Sequence, residues 1–167
     1  LLKNDKLQHS YPHSWRSKAP LIYRATPQWF ISMEKNSLRN IAIKAINETT
    51  FYPEKGKERL LSMVKDRPDW CVSRQRVWGV PLPIFINKKT KEPLRDQKVI
   101  DRIASIYEKQ GSDCWFTDNP KIFLGDDYNP NDYEKLKDIV EVWFDSGSTH
   151  SFVLEKRKDL KWPADMY

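Results

Sequence analysis

No apolar run in the sequence approaches the roughly 18 residues of a membrane-spanning helix, so nothing in it reads as a helical anchor. Cysteine is nearly absent. Cys71 and Cys114 stand far apart, which leaves neither a disulfide framework nor a CxxC zinc pattern, and both thiols read as reduced and structural. Histidine is scarce too. His9 and His13 lie four apart, a metal-ligand spacing on a helix, but Pro12 between them argues against helix and no acidic or Cys partner is near; structural histidines are expected, and no bound metal. The N-terminus lacks a start Met and the charged, apolar and small-residue regions of a signal peptide, and reads as a chain that begins inside a longer protein.

What is present is a mixed composition of 39% apolar and 31% charged residues over 167 positions, the range of a soluble globular protein. That length suits one domain with a core, or two small units. Net charge is +6, from 29 Lys and Arg against 23 Asp and Glu, compatible with an RNA partner and equally with an ordinary basic surface. The lysines at 88, 89 and 91 and the run at 156–158 read as solvated turns before they read as nucleic-acid grips.

Along the chain, residues 8–33 carry strand-like alternation broken by Pro20 and Pro27, which predicts a ribbon of edge strands and turns. From Glu34 to Asn47, Leu38, Ile41, Ala42, Ala45 and Ile46 recur at helical spacing; Arg39 falls on the polar face. Lys57 to Lys65 predicts a second short helix with Leu60, Leu61 and Val64 inward. A third runs from Val99 through Tyr107 and is closed by Gly111. Trp115, Phe116, Ile122, Phe123 and Leu124 supply apolar cover for this part. Asp126 and Asp127 lie in a polar loop without a calcium-loop pattern.

The densest stretch is residues 67–85, with two tryptophans and three prolines. Pro68 stops the preceding helix, Gly79 lets the backbone turn, and residues 80–86 are expected to leave as a strand. Trp70 and Trp78 each carry enough surface to require a cover. Arg74 and Arg76 place two guanidinium groups one residue apart, suited to a phosphate or tRNA contact and equally to ordinary surface ion pairs. Ile139, Val140, Val142 and Trp143 are expected to form a strand whose carboxyl end runs into a loop at residues 144–148, the position where open α/β sheets hold ligands. There Trp143 would wall a substrate pocket, Asp145 would anchor the loop or an amine, Gly147 would permit close backbone approach or positive φ, and Ser148 would cap the segment that follows. The plain alternative is a turn with Trp143 in the core.

Three stretches carry a family resemblance. Trp70-Cys71-Val72-Ser73-Arg74-Gln75-Arg76-Val77-Trp78-Gly79 resembles the segment of class I aminoacyl-tRNA synthetases of the isoleucyl, valyl and leucyl group in which the chain returns to the catalytic domain. The segment from His9 to Arg16 running on to Arg24 through Ile31 resembles the strands leaving the editing insertion, and Val142 through Ser151 resembles a later catalytic segment. They stand in family order, and their wording is closest to the bacterial isoleucyl branch, with a valyl or leucyl enzyme, or a non-catalytic basic RNA-binding module, as alternatives.

The resemblance implies an α/β fold: part of a discontinuous Rossmann-like catalytic domain, with a β-ribbon linker and a small α+β connective insertion. It divides the chain into a ribbon (1–33), a helical linker (34–67), a catalytic segment (68–86), a connective insertion (87–138) and a second catalytic segment (139–167). It implies a cytoplasmic, monomeric isoleucine–tRNA ligase that uses ATP with Mg2+, isoleucine and tRNA, with Trp143, Asp145 and Gly147 binding substrate and Arg74 and Arg76 touching phosphate or tRNA. The family's His-Ile-Gly-His and Lys-Met-Ser-Lys-Ser type motifs do not occur here. No catalytic or editing residue is therefore assigned, and the 167 residues alone are expected to be inactive, with no cofactor bound.

Overall fold

The computed structural model describes residues 4–166, which form mixed short strands and helices. Residues 8–33 are less strand-rich than the alternation predicts. They make a hairpin closed by a bridge between His13 and Pro20, then strand β1 (Phe30–Ile31). The prolines account for the difference, since each removes a ladder donor.

Helices α1 (Leu38–Glu48) and α2 (Lys55–Lys65) pack against each other. The face that α1 turns inward is Arg39, Ala42, Ile43 and Ile46, while Ile41 is exposed, so the stripe is rotated from the expected one. Arg39 explains the rotation. Its Nη1 donates to Val64 O at 2.7 Å and Lys65 O at 2.9 Å, and its Nη2 to Arg67 O at 2.8 Å. These are carbonyls at and just past the end of α2, where a cation is also favoured by the helix dipole. On α2, Leu61 and Val64 are half-buried and Leu60 is exposed.

Three antiparallel two-stranded ladders follow. β1 pairs with β2 (Trp70–Cys71), β3 (Ser73–Arg74) with β6 (Ile139–Val140), and β4 (Phe85–Asn87) with β5 (Tyr133–Lys135). The first two ladders are stitched end to end by Val72 N to Trp29 O at 2.9 Å and Glu141 N to Val72 O at 2.8 Å. Residues 80–86 are not one strand. Residues 80–82 run along the other edge of β6, through Val140 N to Val80 O at 2.7 Å and Leu82 N to Asp138 O at 2.9 Å, and only Phe85–Asn87 is a ladder strand. Pro81 and Pro83 lack the donors a longer ladder needs. Gly79 makes this crossing fit: at φ +147°, a Cβ there would lie 2.4 Å from Ile139 Cδ1.

The main core is built by Phe85 with Val99 and Ile103 of α3 (Gln97–Gln110), Cys114 and Trp115 of α4 (Cys114–Thr117), and Phe123 and Leu124 of α5 (Pro120–Leu124). Phe85 meets Trp115 edge-on at 4.9 Å between ring centres, and Trp115 lies 5.2 Å from Phe123. The indole N–H is satisfied by Leu136 O at 2.8 Å. Lys135 Nζ sits over the Trp115 ring at 5.6 Å and donates to the carbonyls of Trp115 and Asp118. Burial pushes its pKa below the ordinary lysine value. Asp96 caps α3 by accepting from Lys98 N at 2.8 Å and takes the Tyr128 hydroxyl at 2.7 Å. Gly111 closes α3 at φ +80°. Phe116 and Ile122, expected as cover, stay substantially exposed.

Asp126 pairs with Lys121 at 2.9 Å and Asp127 with Arg102 at 3.5 Å. Cys71 and Cys114 are both free thiols. Among the described residues no helix is long and apolar enough to cross a membrane.

Candidate active-site cleft

A cleft of about 830 Å3 opens where residues 74–80 face β6, the start of the helix that follows it and residues 112–117. Its size is that of a small-molecule site. One wall is the turn Arg76-Val77-Trp78-Gly79; the opposite wall includes Glu141, Val142 and Asp145. Trp78 is 92% exposed, so the cover that its surface requires is not supplied by the described residues. Trp70 is covered, lying 6.2 Å from the Phe144 ring with the Arg67 guanidinium 5.7 Å above it.

The strand expected to reach Trp143 ends at Val140. Residues 142–147 form helix α6 (Val142–Gly147), and Trp143 is its second residue, 71% exposed. The cause is Glu141. Its buried side chain caps α6 by accepting from Trp143 N at 2.9 Å, which makes a helix start out of a sequence whose apolar residues look like strand. The other carboxylate oxygen lies 3.8 Å from Arg74 Nη2. Gly147 has neither positive φ nor a close neighbour; a Cβ there would meet nothing within 4 Å. Ser148 closes α6 rather than opening the next segment: its N–H donates to Phe144 O at 3.0 Å and its Oγ to Asp145 O at 2.9 Å.

Of the five residues singled out by sequence, the cleft brings together Arg74, Arg76 and Asp145, while Trp143 and Gly147 lie outside its lining. Arg74 is already engaged. Its Nη1 donates to Cys71 O at 3.0 Å and Ser73 O at 2.8 Å, so with Glu141 it braces the junction of β3 and α6. Arg76 is exposed and lines the cleft. Asp145 has its carboxyl pushed above the ordinary aspartate range, first by burial and then by the neighbouring Glu141.

Sequence reasoning missed Glu141 and the strut behind it. Buried Ser73 accepts from Trp29 N at 2.8 Å and donates to Gln28 Oε1 at 2.6 Å; the side-chain amides of Gln28 and Gln75 hydrogen-bond each other, and Gln75 Nε2 donates to Asp138 Oδ2 at 2.9 Å. An acid two residues ahead of Trp143 was the signal for the cap; the strut joins residues too distant in sequence for any local pattern to show.

Among the described residues no group of three or more His, Cys, Asp or Glu is placed to hold a metal ion. The Glu141 carboxylate is committed to Arg74 and the α6 cap, which leaves Asp113 and Asp145 as the other acids of the cleft.

Residues 4–167 match the family described as tRNA synthetases class I (I, L, M and V). The chain belongs to this family. It is 70% identical over its whole length to the isoleucine–tRNA ligase of Pelagibacter ubique, 52% to that of Gluconobacter oxydans and 53% to that of Coxiella burnetii strain CbuG_Q212. It spans only 17–18% of the length of those relatives. The family and the isoleucyl wording of the three motifs therefore agree.

Proposed function

We propose that the chain is a catalytic-domain portion of an isoleucine–tRNA ligase, which activates isoleucine with ATP and Mg2+ and transfers it to tRNA as a cytoplasmic monomer. What carries the reading is a match over the whole of this chain to part of enzymes of that name, at up to 70% identity. In this reading Trp78 and Trp143 are faces turned toward ligand, Asp145 receives the amine of the amino acid, and Arg76 meets phosphate or tRNA. Gly147 ends α6 where the backbone lies open to substrate. Arg74 is a positioning residue: through Glu141 it holds the start of α6, and so the orientation of Trp143 and Asp145. A cation arriving beside Asp145 would stabilise the carboxylate that burial disfavours.

The proposed division is the ribbon 1–33, the helical linker 34–67, the catalytic segments 68–86 and 139–167 of a Rossmann-like domain, and the connective insertion 87–138. Its support is that β6 joins β3 and residues 80–82 by backbone bonds, whereas residues 94–136 pack a core against Phe85, at the end of the first catalytic segment.

The test is ATP–pyrophosphate exchange by the full-length protein. Exchange that depends on isoleucine and is much weaker with valine or leucine is expected, with none from the 167 residues alone. Preference for valine or leucine would replace the isoleucyl reading by one of its sister enzymes, and no amino-acid dependence at all would reject the ligase.

A further inference from the structure

Among the described residues the buried polar side chains are Ser73, on β3, and Glu141, which caps α6. The Ser73 hydroxyl is spent on a segment far away in sequence, accepting from Trp29 N at 2.8 Å and donating to Gln28 Oε1 at 2.6 Å. Trp29 O in turn takes Val72 N at 2.9 Å, so both backbone groups of Trp29 end on residues 72 and 73. Gln28 Nε2 donates to Thr26 Oγ1 at 2.7 Å, and the bonds continue through Gln75 to Asp138. The base of the ribbon, residues 26–29, is thereby tied to β3 and to the residue before β6.

β3 carries that attachment to the cleft. Ser73 pairs with Val140 and Arg74 with Ile139, and Glu141 N donates to Val72 O at 2.8 Å. Helix α6 begins at the next residue and buries none of its side chains, so its direction is set at its start rather than by packing along its length. The contacts that anchor this start are the Glu141–Arg74 pair and the Phe144 ring against Trp70, and both end on residues 70–74. Those residues are in turn held by residues 28–31, through the β1–β2 ladder and the Ser73 hydroxyl. An apolar side chain at position 73 could fill the same space and still let the two segments slide, whereas a satisfied buried hydrogen-bond network fixes one arrangement.

We infer that Ser73 is a positioning residue for amino-acid binding: by locking β3 to Gln28 and Trp29 at the base of the ribbon, its hydroxyl sets where α6 starts, and so where Asp145 and Trp143 stand. The inference rests on the ligase reading above, in which these two residues meet the amino acid. Ser73 itself touches no substrate. Its removal leaves Trp29 N–H and Gln28 Oε1 short of a partner in a buried place, and the relaxation that follows moves the strand from which α6 hangs. The amino acid should feel that movement more than ATP does, because Asp145 and Trp143 are assigned to the amino acid alone.

The experiment is isoleucine-dependent ATP–pyrophosphate exchange by the full-length protein, with KM for isoleucine, KM for ATP and melting temperature measured for Ser73→Ala, Ser73→Thr, Gln28→Ala and the Gln28→Ala, Ser73→Ala pair. Ser73→Ala is expected to raise the isoleucine KM about tenfold and to leave the ATP KM within about twofold. Ser73→Thr, which keeps the hydroxyl, should recover most of that loss. Gln28→Ala should shift the isoleucine KM in the same direction by less, and the double variant should match Ser73→Ala alone, because the two side chains act through one bond. Gln28 is only half-buried, so its variant carries the test if Ser73→Ala does not fold. A lowered melting temperature with both KM values unchanged would make the network a plain structural strut and overturn the inference, as would an equal rise in both KM values or a Ser73→Thr variant no better than Ser73→Ala. A parent that exchanges with isoleucine while the variants behave like it would reject the positioning role alone. A parent without isoleucine-dependent exchange would reject the ligase reading, and the positioning role with it.

Discussion

Residues 85–136 and the two segments that flank them are built on opposite plans. The middle closes on itself: Phe85, Trp115, Phe123 and Leu124 are fully or almost fully buried, and the polar groups of Trp115 and Lys135 end on backbone carbonyls. The flanks are held by backbone ladders and a polar strut and leave Val77, Trp78, Val142 and Trp143 largely in water. An interior of packed rings makes a stable unit with little left to offer a ligand, whereas exposed aromatics on a hydrogen-bonded frame offer binding surface and contribute little to stability. Among the described residues, which belong to a chain spanning only 17–18% of its relatives' length, the charged, turn-rich middle is the better-packed part and the motif-rich flanks are the less buried.

The sharpest way to break the comparison is Trp115→Ala. Removing a fully buried indole from the ring cluster is expected to cost about 3–5 kcal/mol in chemical denaturation followed by circular dichroism. A loss under about 1 kcal/mol would mean that the middle is not an independent core.

Gly79→Ala probes the flanks. Its Cβ would lie 2.4 Å from Ile139 Cδ1 on a backbone with φ +147°, and a loss of about 1–3 kcal/mol is expected in the parent and a smaller loss when the same change is made in an Ile139→Ala background, which clears the space but has its own cost because Ile139 is buried. An equal Gly79→Ala cost in the two backgrounds would place it in the backbone conformation alone.

The smallest effect concerns Asp145. Because its folded pKa is raised, the unfolded state gives up its proton first, and stability falls as pH rises from the ordinary aspartate value through the raised one. Asp145→Asn should therefore gain stability relative to the parent over that window and level off above it, read as melting temperature against pH. A parent that gains on the variant as pH rises would reverse the sign and make the carboxylate favourably paired.

How much of this was legible in sequence differs between the same two regions. Helix α3 was readable because its stop is local: Gly111 supplies the positive φ that ends it. The buried trio Trp115, Phe123 and Leu124 was readable as apolar density, although Phe116 and Ile122 beside them are not covered. The face of α1 was misjudged because Arg39, polar by type, turns inward to cap the carbonyls ending α2, a partner 25 to 28 residues away. The same kind of error turned α6 into a strand and loop. Val142, Trp143 and Phe144 have strand propensity, and the Glu141 cap that overrides it depends on a buried carboxylate also held by Arg74. Trp78 was expected to be covered because of its size, and the described residues, part of a chain spanning only 17–18% of its relatives' length, leave it 92% exposed.

In the proposed reading the exposed aromatics of the flanks serve ligand and not the fold, and Trp143→Ala separates the two roles. In the full-length enzyme, melting temperature and the KM values for isoleucine and ATP would be measured for Trp143→Ala. A stability change within about 0.5 kcal/mol, an isoleucine KM raised about tenfold and an unchanged ATP KM are the results the account requires. A large fall in melting temperature with isoleucine KM unaltered would make Trp143 part of a core and contradict the account.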